Sequence, residues 1–180
     1  MQPPMKQGNS NDFQTPPEAL EPLMQFLKKD WTIWECACGK GNLVNELERL
    51  EFKVFGSDLI TETPNQLDFL TQEPPCEYDC IITNPPFSLK KEFLERVYHL
   101  NKPFAFLLPL TTFETASRQD LFKKFGVEVI LFDKRINFET PSGKGSGSWF
   151  ATMWVTWKLN LPNQINFAKL SRGNENLKLL

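Results

Sequence analysis

Residues 31–58 read WTIWECACGKGNLVNELERLEFKVFGSD, and the fold turns on this stretch. Trp31 to Glu35 is β-branched and aromatic, the composition of a strand. Cys38-Gly-Lys-Gly41 supplies two glycines for a sharp turn, after which Leu43, Val44, Leu47 and Leu50 recur at the spacing that lines one helix face. Phe52 to Ser57 reads as a second strand, ended by Asp58. A strand, a short turn, a helix and a strand make a βαβ unit, whose strands pair in parallel.

The same alternation extends in both directions. Upstream, Thr15-Pro-Pro-Glu18 has the form of a capping box, with threonine at the N-cap and glutamate three residues later. Leu20, Leu23, Met24 and Leu27 then form an apolar stripe. Downstream, a strand from Tyr78 to Thr83 runs into Asn84-Pro-Pro-Phe87. A helix over 89–100, a strand over 103–108, a helix over 115–125 and a strand over 127–132 follow. After a Gly/Ser/Lys loop at 142–148, Ala151, Met153, Val155 and Trp157 alternate along a last strand, expected to close the sheet as an edge hairpin. The segments 1–11 and 159–180 are polar and unperiodic, and read as loosely attached tails flanking one domain over 12–158.

With 180 residues, 41% of them hydrophobic, the chain has material for one core. It contains no apolar run of membrane-spanning length and no apolar leader, so the expectation is a soluble, cytoplasmic protein with no membrane partner. The net charge of -2 runs against the basic footprint of a nucleic-acid binder. Basic residues do cluster locally, as Lys90 and Lys91, Lys123 and Lys124, Lys134 and Arg135, and Lys144, though each also reads as solvated surface. Cys36, Cys38, Cys76 and Cys80 lack knuckle spacing and lie in or near strands, so packed thiols are expected and no metal.

Three constellations carry chemistry. Glu35-Cys-Ala-Cys-Gly-Lys-Gly41 joins a strand to a helix where nucleotide-like ligands bind, although a plain tight turn would look alike. It lacks the third glycine of the dinucleotide fingerprint and the ending of a P-loop, and Glu35 suits an ammonium group rather than pyrophosphate. Asp58, at the next strand end, is placed to accept ribose hydroxyls, and Asp68-Phe69, in a strand-like stretch, to meet an adenine amino group and ring face. Taken in order these describe a pocket for methionine, ribose and adenine. Third, Asn84-Pro85-Pro86-Phe87 offers two carbonyl acceptors for an amine's hydrogens, a stiff wall without N–H donors, and a ring on which a base can stack. His99 is read as a surface residue and the tryptophans as core.

Glu-x-Ala-x-Gly-x-Gly followed by Asn-Pro-Pro-Phe resembles the S-adenosylmethionine-dependent amino-methyltransferases, above all the DNA adenine-N6 enzymes. Phe13-x-Thr15-Pro16-Pro17 resembles the motif that contacts the methionine end in that family, and Arg135-Ile-Asn-Phe138, Gly143-Lys-Gly145 and Trp149-Phe150 are similar to short Dam-like enzymes of phages and prophages. The resemblance implies a Rossmann-like class I methyltransferase fold: a mainly parallel seven-stranded sheet, a terminal antiparallel edge strand and helices on both faces. It implies S-adenosylmethionine as cofactor and S-adenosylhomocysteine as product. Cofactor contacts would come from Phe13, Thr15, Pro16, Glu35, Ala37, Gly39, Gly41, Asp58, Asp68, Phe69 and Asn84. Catalysis would fall to Asn84, Pro85, Pro86 and Phe87, and nucleic-acid contact to Lys90, Lys91, Lys134, Arg135, Lys144 and Trp149. Dam enzymes proper carry aspartate at the position of Asn84, and no separate target-recognition domain is present, so the loops at 111–118 and 139–148, loose recognition, a protein partner or a homodimer remain as sources of specificity. RNA adenine, a protein glutamine amide and a catalytically silent partner subunit are the alternatives to DNA methylation.

Overall fold

A run of apolar residues with no polar interruption belongs in the middle of a sheet. Phe104–Pro109 is such a run, and all six residues are buried. The computed structural model describes residues 14–60, 65–72, 75–140, 143–144 and 150–171, with 139–140 and 143–144 described through their backbone alone. In chain order the strands are β1 (Thr32–Glu35), β2 (Lys53–Gly56), β3 (Cys80–Thr83), β4 (Phe104–Pro109), β5 (Glu128–Phe132), β6 (Glu139–Thr140), β7 (Gly143–Lys144), β8 (Thr152–Trp157) and β9 (Ile165–Ala168). The main sheet has seven strands in the order β2-β1-β3-β4-β8-β5-β9, and β6 and β7 form a separate small hairpin. Every pairing in the main sheet is parallel except those of β8 with β4 and β5.

Helices cover both faces. A 3-10 helix over Pro17–Phe26 and α1 (Asn42–Arg49) lie on one side, burying Leu20, Leu23, Leu43 and Leu47 with Ile33, Ile82 and Trp154. On the other, α2 (Lys90–Leu100) and α3 (Ala116–Phe125) bury Phe93, Leu94, Val97 and Phe122 with Trp34, Ile81 and Phe106. Trp34 and Trp154 are core residues, and the Trp154 indole N–H donates to the Ala19 carbonyl at 2.7 Å, tying the 3-10 helix to the sheet. Cys36, Cys38 and Cys80 are buried thiols and Cys76 is exposed.

The structure departs from the sequence reading in four places. Thr15 does not cap a helix: the helix begins at Pro17, so Pro16, in extended backbone and with no side-chain acceptor, occupies the N-cap. The helix that follows is 3-10 rather than α, and Pro22 inside it has no N–H to give. Asp68 and Phe69 form a turn, not a strand, because the Asp68 side chain accepts from the Leu70 N–H at 2.9 Å and the Thr71 hydroxyl at 2.8 Å. The antiparallel strand β8 lies between β4 and β5 instead of at the edge, with Thr152 and Thr156 buried as well as its apolar residues. Its alternation looked one-sided because threonine reads as polar, yet the Thr156 hydroxyl is spent on the Glu128 carbonyl at 3.2 Å. The edge is formed by β9, from the segment expected to be a tail, and the Ser171 hydroxyl beyond it donates to Glu21 at 2.7 Å.

Gly56 shows how closely α1 lies on β2: a Cβ there would come within 2.8 Å of the Val44 Cγ2 atom. Gly56→Ala should therefore lower the unfolding free energy by about 1 to 3 kcal/mol through overpacking. Adding Val44→Ala should recover most of it. Urea titration of the two variants decides, and an unchanged midpoint for Gly56→Ala would mean that α1 rides higher than described.

Candidate active site

Parallel strands send all their carboxyl ends to one edge of a sheet, and here the first three, β2, β1 and β3, end side by side. β1 ends in Glu35, and the chain turns through Cys38 and two glycines in left-handed backbone, Gly39 at φ 50° and Gly41 at φ 83°, where Gly41 caps α1. The turn is anchored to the end of β2. The Cys38 N–H donates to the Ser57 carbonyl at 3.0 Å, the Gly39 N–H to Asp58 Oδ2 at 2.8 Å, and the Trp34 indole N–H to the Ser57 hydroxyl at 2.8 Å. Asp58 Oδ1 accepts from the Ile60 N–H at 2.9 Å. Each carboxylate oxygen has two lone pairs, so the half-buried Asp58 retains acceptor capacity toward a ligand. The Gln14 amide lies against the turn, 3.2 Å from where a Cβ on Gly39 would sit.

Glu35 is an unusual acid. It is 2% exposed and accepts a hydrogen bond from the Ala37 N–H at 3.1 Å. Burial pushes its carboxyl up to about 8, with the Thr83 side chain and the Ala37 N–H opposing the rise and the Asp58 charge adding to it. No basic side chain forms an ion pair with it among the described residues. Burial likewise pushes the Cys36 and Cys38 thiols up, so they remain thiols rather than thiolate nucleophiles. Among the described residues no group of three or more His, Cys, Asp or Glu side chains is arranged to hold a metal ion.

β3 is buried along its whole length and delivers Asn84 to the same edge, followed by a buried Pro85 and a half-buried Pro86 and Phe87. The Asn84 side-chain oxygen is shielded from solvent, so an incoming amine reaches it only after neighbouring side chains shift. Phe87 opens a short 3-10 turn and meets Phe150 edge-on at 5.5 Å; Phe150 in turn stacks on Phe138 at 6.2 Å. The Lys90 ammonium donates to the Phe87 carbonyl at 3.0 Å.

Glu35, Ala37, Gly39, Gly41, Asp58 and Asn84 to Phe87 are thus gathered at one edge, with Lys90 beside them. Thr15 and Pro16 are buried, and it is Gln14 before them that reaches the glycine turn. Phe69 cannot stack on a ligand: it is 2% exposed, wedged between Trp34 at 5.3 Å and Phe93 at 4.8 Å. Asp68 accepts one hydrogen bond on each carboxylate oxygen from its own turn, as Asp58 does from its neighbours, and keeps acceptor capacity. Lys91 pairs with Glu95 on the α2 surface, and Lys134 and Arg135 follow β5, three strands from β3, where Lys134 donates to the Ser171 carbonyl. Phe13 and Trp149 lie outside the described residues, as does the side chain of Lys144. His99 is exposed in the last turn of α2. Sequence reading missed Gln14, Thr83 beside Glu35, and Arg118, which α3 buries against the turn after β4.

No family model matches the chain, and no curated protein matches its sequence. Solved structures do. A protein of Listeria monocytogenes assigned as a class I S-adenosylmethionine-dependent methyltransferase aligns over 92% of this chain and 68% of its own, with TM-score 0.60 and 18% identity. The modification subunit assigned to a type I restriction enzyme of Vibrio vulnificus aligns over 83% of this chain and 45% of its own, with TM-score 0.53 and 15% identity. A dimethyladenosine transferase of Plasmodium falciparum aligns over 79% and 62%, with TM-score 0.53 and 14% identity. The chain therefore spans under half of the Vibrio subunit and under two thirds of the Plasmodium enzyme. What these likenesses share is the architecture, and the chain has the class I S-adenosylmethionine-dependent methyltransferase fold.

Proposed function

We propose that this chain transfers a methyl group from S-adenosylmethionine to the exocyclic amino nitrogen, N6, of adenine in DNA, releasing S-adenosylhomocysteine. The observation that carries the reading is the emergence of Asn84-Pro85-Pro86-Phe87 from β3 directly beside β1, whose Glu35-to-Gly41 turn is the cofactor place of this fold. Two of the structures it resembles are named for related work, a restriction-modification subunit and a dimethyladenosine transferase.

The residues present fit the cofactor. Glu35 is a buried acid with no cationic partner among the described residues, which matches the ammonium of an amino-acid moiety. The left-handed glycines bring bare backbone to the edge, and Asp58 has lone pairs left for ribose hydroxyls. Gln14 replaces Thr15 as the N-terminal contact, Phe69 drops out of the set, and Asp68 stays in it with lone pairs left for an adenine amino group. When bound, the cofactor supplies an electrophilic methyl group.

The remaining work is done by the chain. An aromatic amine is a weak nucleophile because its lone pair is shared with the ring. The Asn84 side-chain carbonyl and the Pro85 backbone carbonyl accept its two hydrogens, which favours the pyramidal nitrogen and the positive charge that grows on it. The two prolines keep that wall stiff and free of competing donors. The target base leaves its stack to reach this edge and lies on Phe87, worth about 1 to 3 kcal/mol, with Phe150 holding that ring by an edge-on contact. After transfer the nitrogen sheds a proton to water, so no dedicated base is required.

Asn84→Ala should reduce single-turnover methylation about a hundredfold to a thousandfold, by analogy with removal of one preorganised charge-stabilising group, and leave the cofactor Kd unchanged. Ordinary turnover in the folded variant would sink the assignment.

Glu35 ties cofactor binding to pH. In the free chain its carboxyl titrates at about 8, so at pH 7 it holds its proton, while an ammonium partner favours the carboxylate. Binding at pH 7 should release about one proton, and affinity should rise with pH until the cofactor's own amino group loses its charge near about 8. Calorimetry at pH 7 in buffers of different ionisation enthalpy reads this directly. Glu35→Gln should abolish the release, and wild-type binding without proton release would place the ammonium elsewhere.

A further inference from the structure

Arg118 is 9% exposed, and its guanidinium donates to the Thr112 carbonyl at 2.6 Å and the Thr111 carbonyl at 3.1 Å. Carbonyls orient this cation but do not neutralise it, and among the described residues no carboxylate forms an ion pair with it. A buried charge without its opposite is costly, and an anion arriving from outside would offset that cost.

Lys90 lies within electrostatic reach of it. β3 and β4 are neighbouring parallel strands, so the segments that leave their carboxyl ends, one carrying Phe87 to Lys90 and the other Thr111 to Arg118, run side by side. The two cations lie close enough to repel, and burial together with that repulsion lowers the Lys90 pKa, with Glu92 acting the other way. Both α2 and α3 begin at this edge, and neither has a side-chain cap, so two helix N-termini add to the same positive field. The acids of the edge, Glu35 and Asp58, belong to the strands β1 and β2 on the other side of Asn84. Glu92 and Glu114 stand on this half too, but neither forms an ion pair with Lys90 or Arg118 among the described residues, so an anion that enters with the acceptor would be the partner these cations lack.

We propose that Lys90 and Arg118 form a phosphate site that grips the phosphodiester adjoining the target nucleotide while its base lies on Phe87. This rests on the reading that the acceptor is a nucleic acid, and it assigns to Arg118 a role in substrate binding. It also gives an acidic protein a local means of holding a polyanion: one fixed pair of cations at the site in place of a basic surface.

The test uses the full chain and a duplex oligonucleotide with one methylatable adenine, in which single phosphates are replaced in turn by neutral methylphosphonates. Wild-type binding should weaken about tenfold at one or two linkages adjoining the target and little elsewhere. Lys90→Gln and Arg118→Gln should erase that position dependence and make the slope of log affinity against log salt shallower by about one each. Arg118→Lys, which keeps the charge but loses the fork, should fall between. Cofactor affinity confirms that each variant is folded, and Lys90→Gln carries the test alone if the Arg118 variants do not fold. If the oligonucleotide is methylated yet the methylphosphonate profile is the same in wild type and Lys90→Gln, the phosphate site is wrong and the proposed function stands. If no oligonucleotide is bound or methylated, the function itself falls and this site with it.

Discussion

The site depends on the register between β1 and β3. Ile33 lies opposite Cys80 and Trp34 opposite Ile81, which carries Thr83, whose side chain reaches Glu35, and then Asn84 past the carboxyl end of the neighbouring strand. Adjacent strands are about 5 Å apart, so a group held at the end of β1 and one held at the end of β3 are within reach of a single small-molecule bridge. A slip of one residue would turn Asn84 to the opposite face of the sheet and take its carbonyl away from the glycine turn. Several features lock the register. β3 is fully buried, so a slip would move Cys80 and Ile82 out of one core and Ile81 out of the other. The Asp79 carboxylate accepts from the Thr32 N–H at 2.8 Å, and the Asp79 N–H donates to the Thr32 carbonyl at 2.8 Å, pinning the two strands at their starts.

Charge is divided along the edge in the same way. The acids Glu35 and Asp58 sit at the ends of β1 and β2, and the cations Lys90 and Arg118 sit beyond β3 and β4. Asn84, neutral and half-buried, lies at the seam. A ligand with a cationic amine therefore prefers one half and a polyanion the other, and the two meet where an uncharged acceptor pair can hold an amine. A net charge of -2 hides this arrangement, because a sum over the surface says nothing about where opposite charges are kept apart.

The parts of the fold that were readable in advance are those in which local chemistry and tertiary role agree. The run from Trp31 to Asp58 shows its strand, glycine turn and helix because each carries its own signal: β-branched residues, left-handed glycines and an i, i+3, i+4 stripe. β8 misled because a buried strand that contains threonines imitates a one-sided one. β9 was invisible because an edge strand buries little, as Phe167 at 83% exposure shows, and its composition matches that of a tail. At the site, Glu35, Asp58 and Asn84 were legible since each stands at the end of an apolar run. Phe69 was misplaced because an aromatic after an aspartate reads equally well as a ligand platform or as core, and only the packing of Trp34 and Phe93 around it decides. Arg118 was marked only as the end of the 111–118 loop: on a helix whose other charges face water, nothing in sequence singles out the one that turns inward.

The central claim is a chemical one, that the edge built by β1 and β3 places a methyl group on the amino nitrogen of adenine. Its most direct test is incubation of the chain with methyl-labelled S-adenosylmethionine and, separately, duplex DNA, RNA and protein, followed by digestion and identification of the labelled product. The account predicts N6-methyladenine from the DNA reaction. Label recovered on RNA adenine or glutamine, on another atom of the DNA bases, or on none of the three acceptors would contradict it.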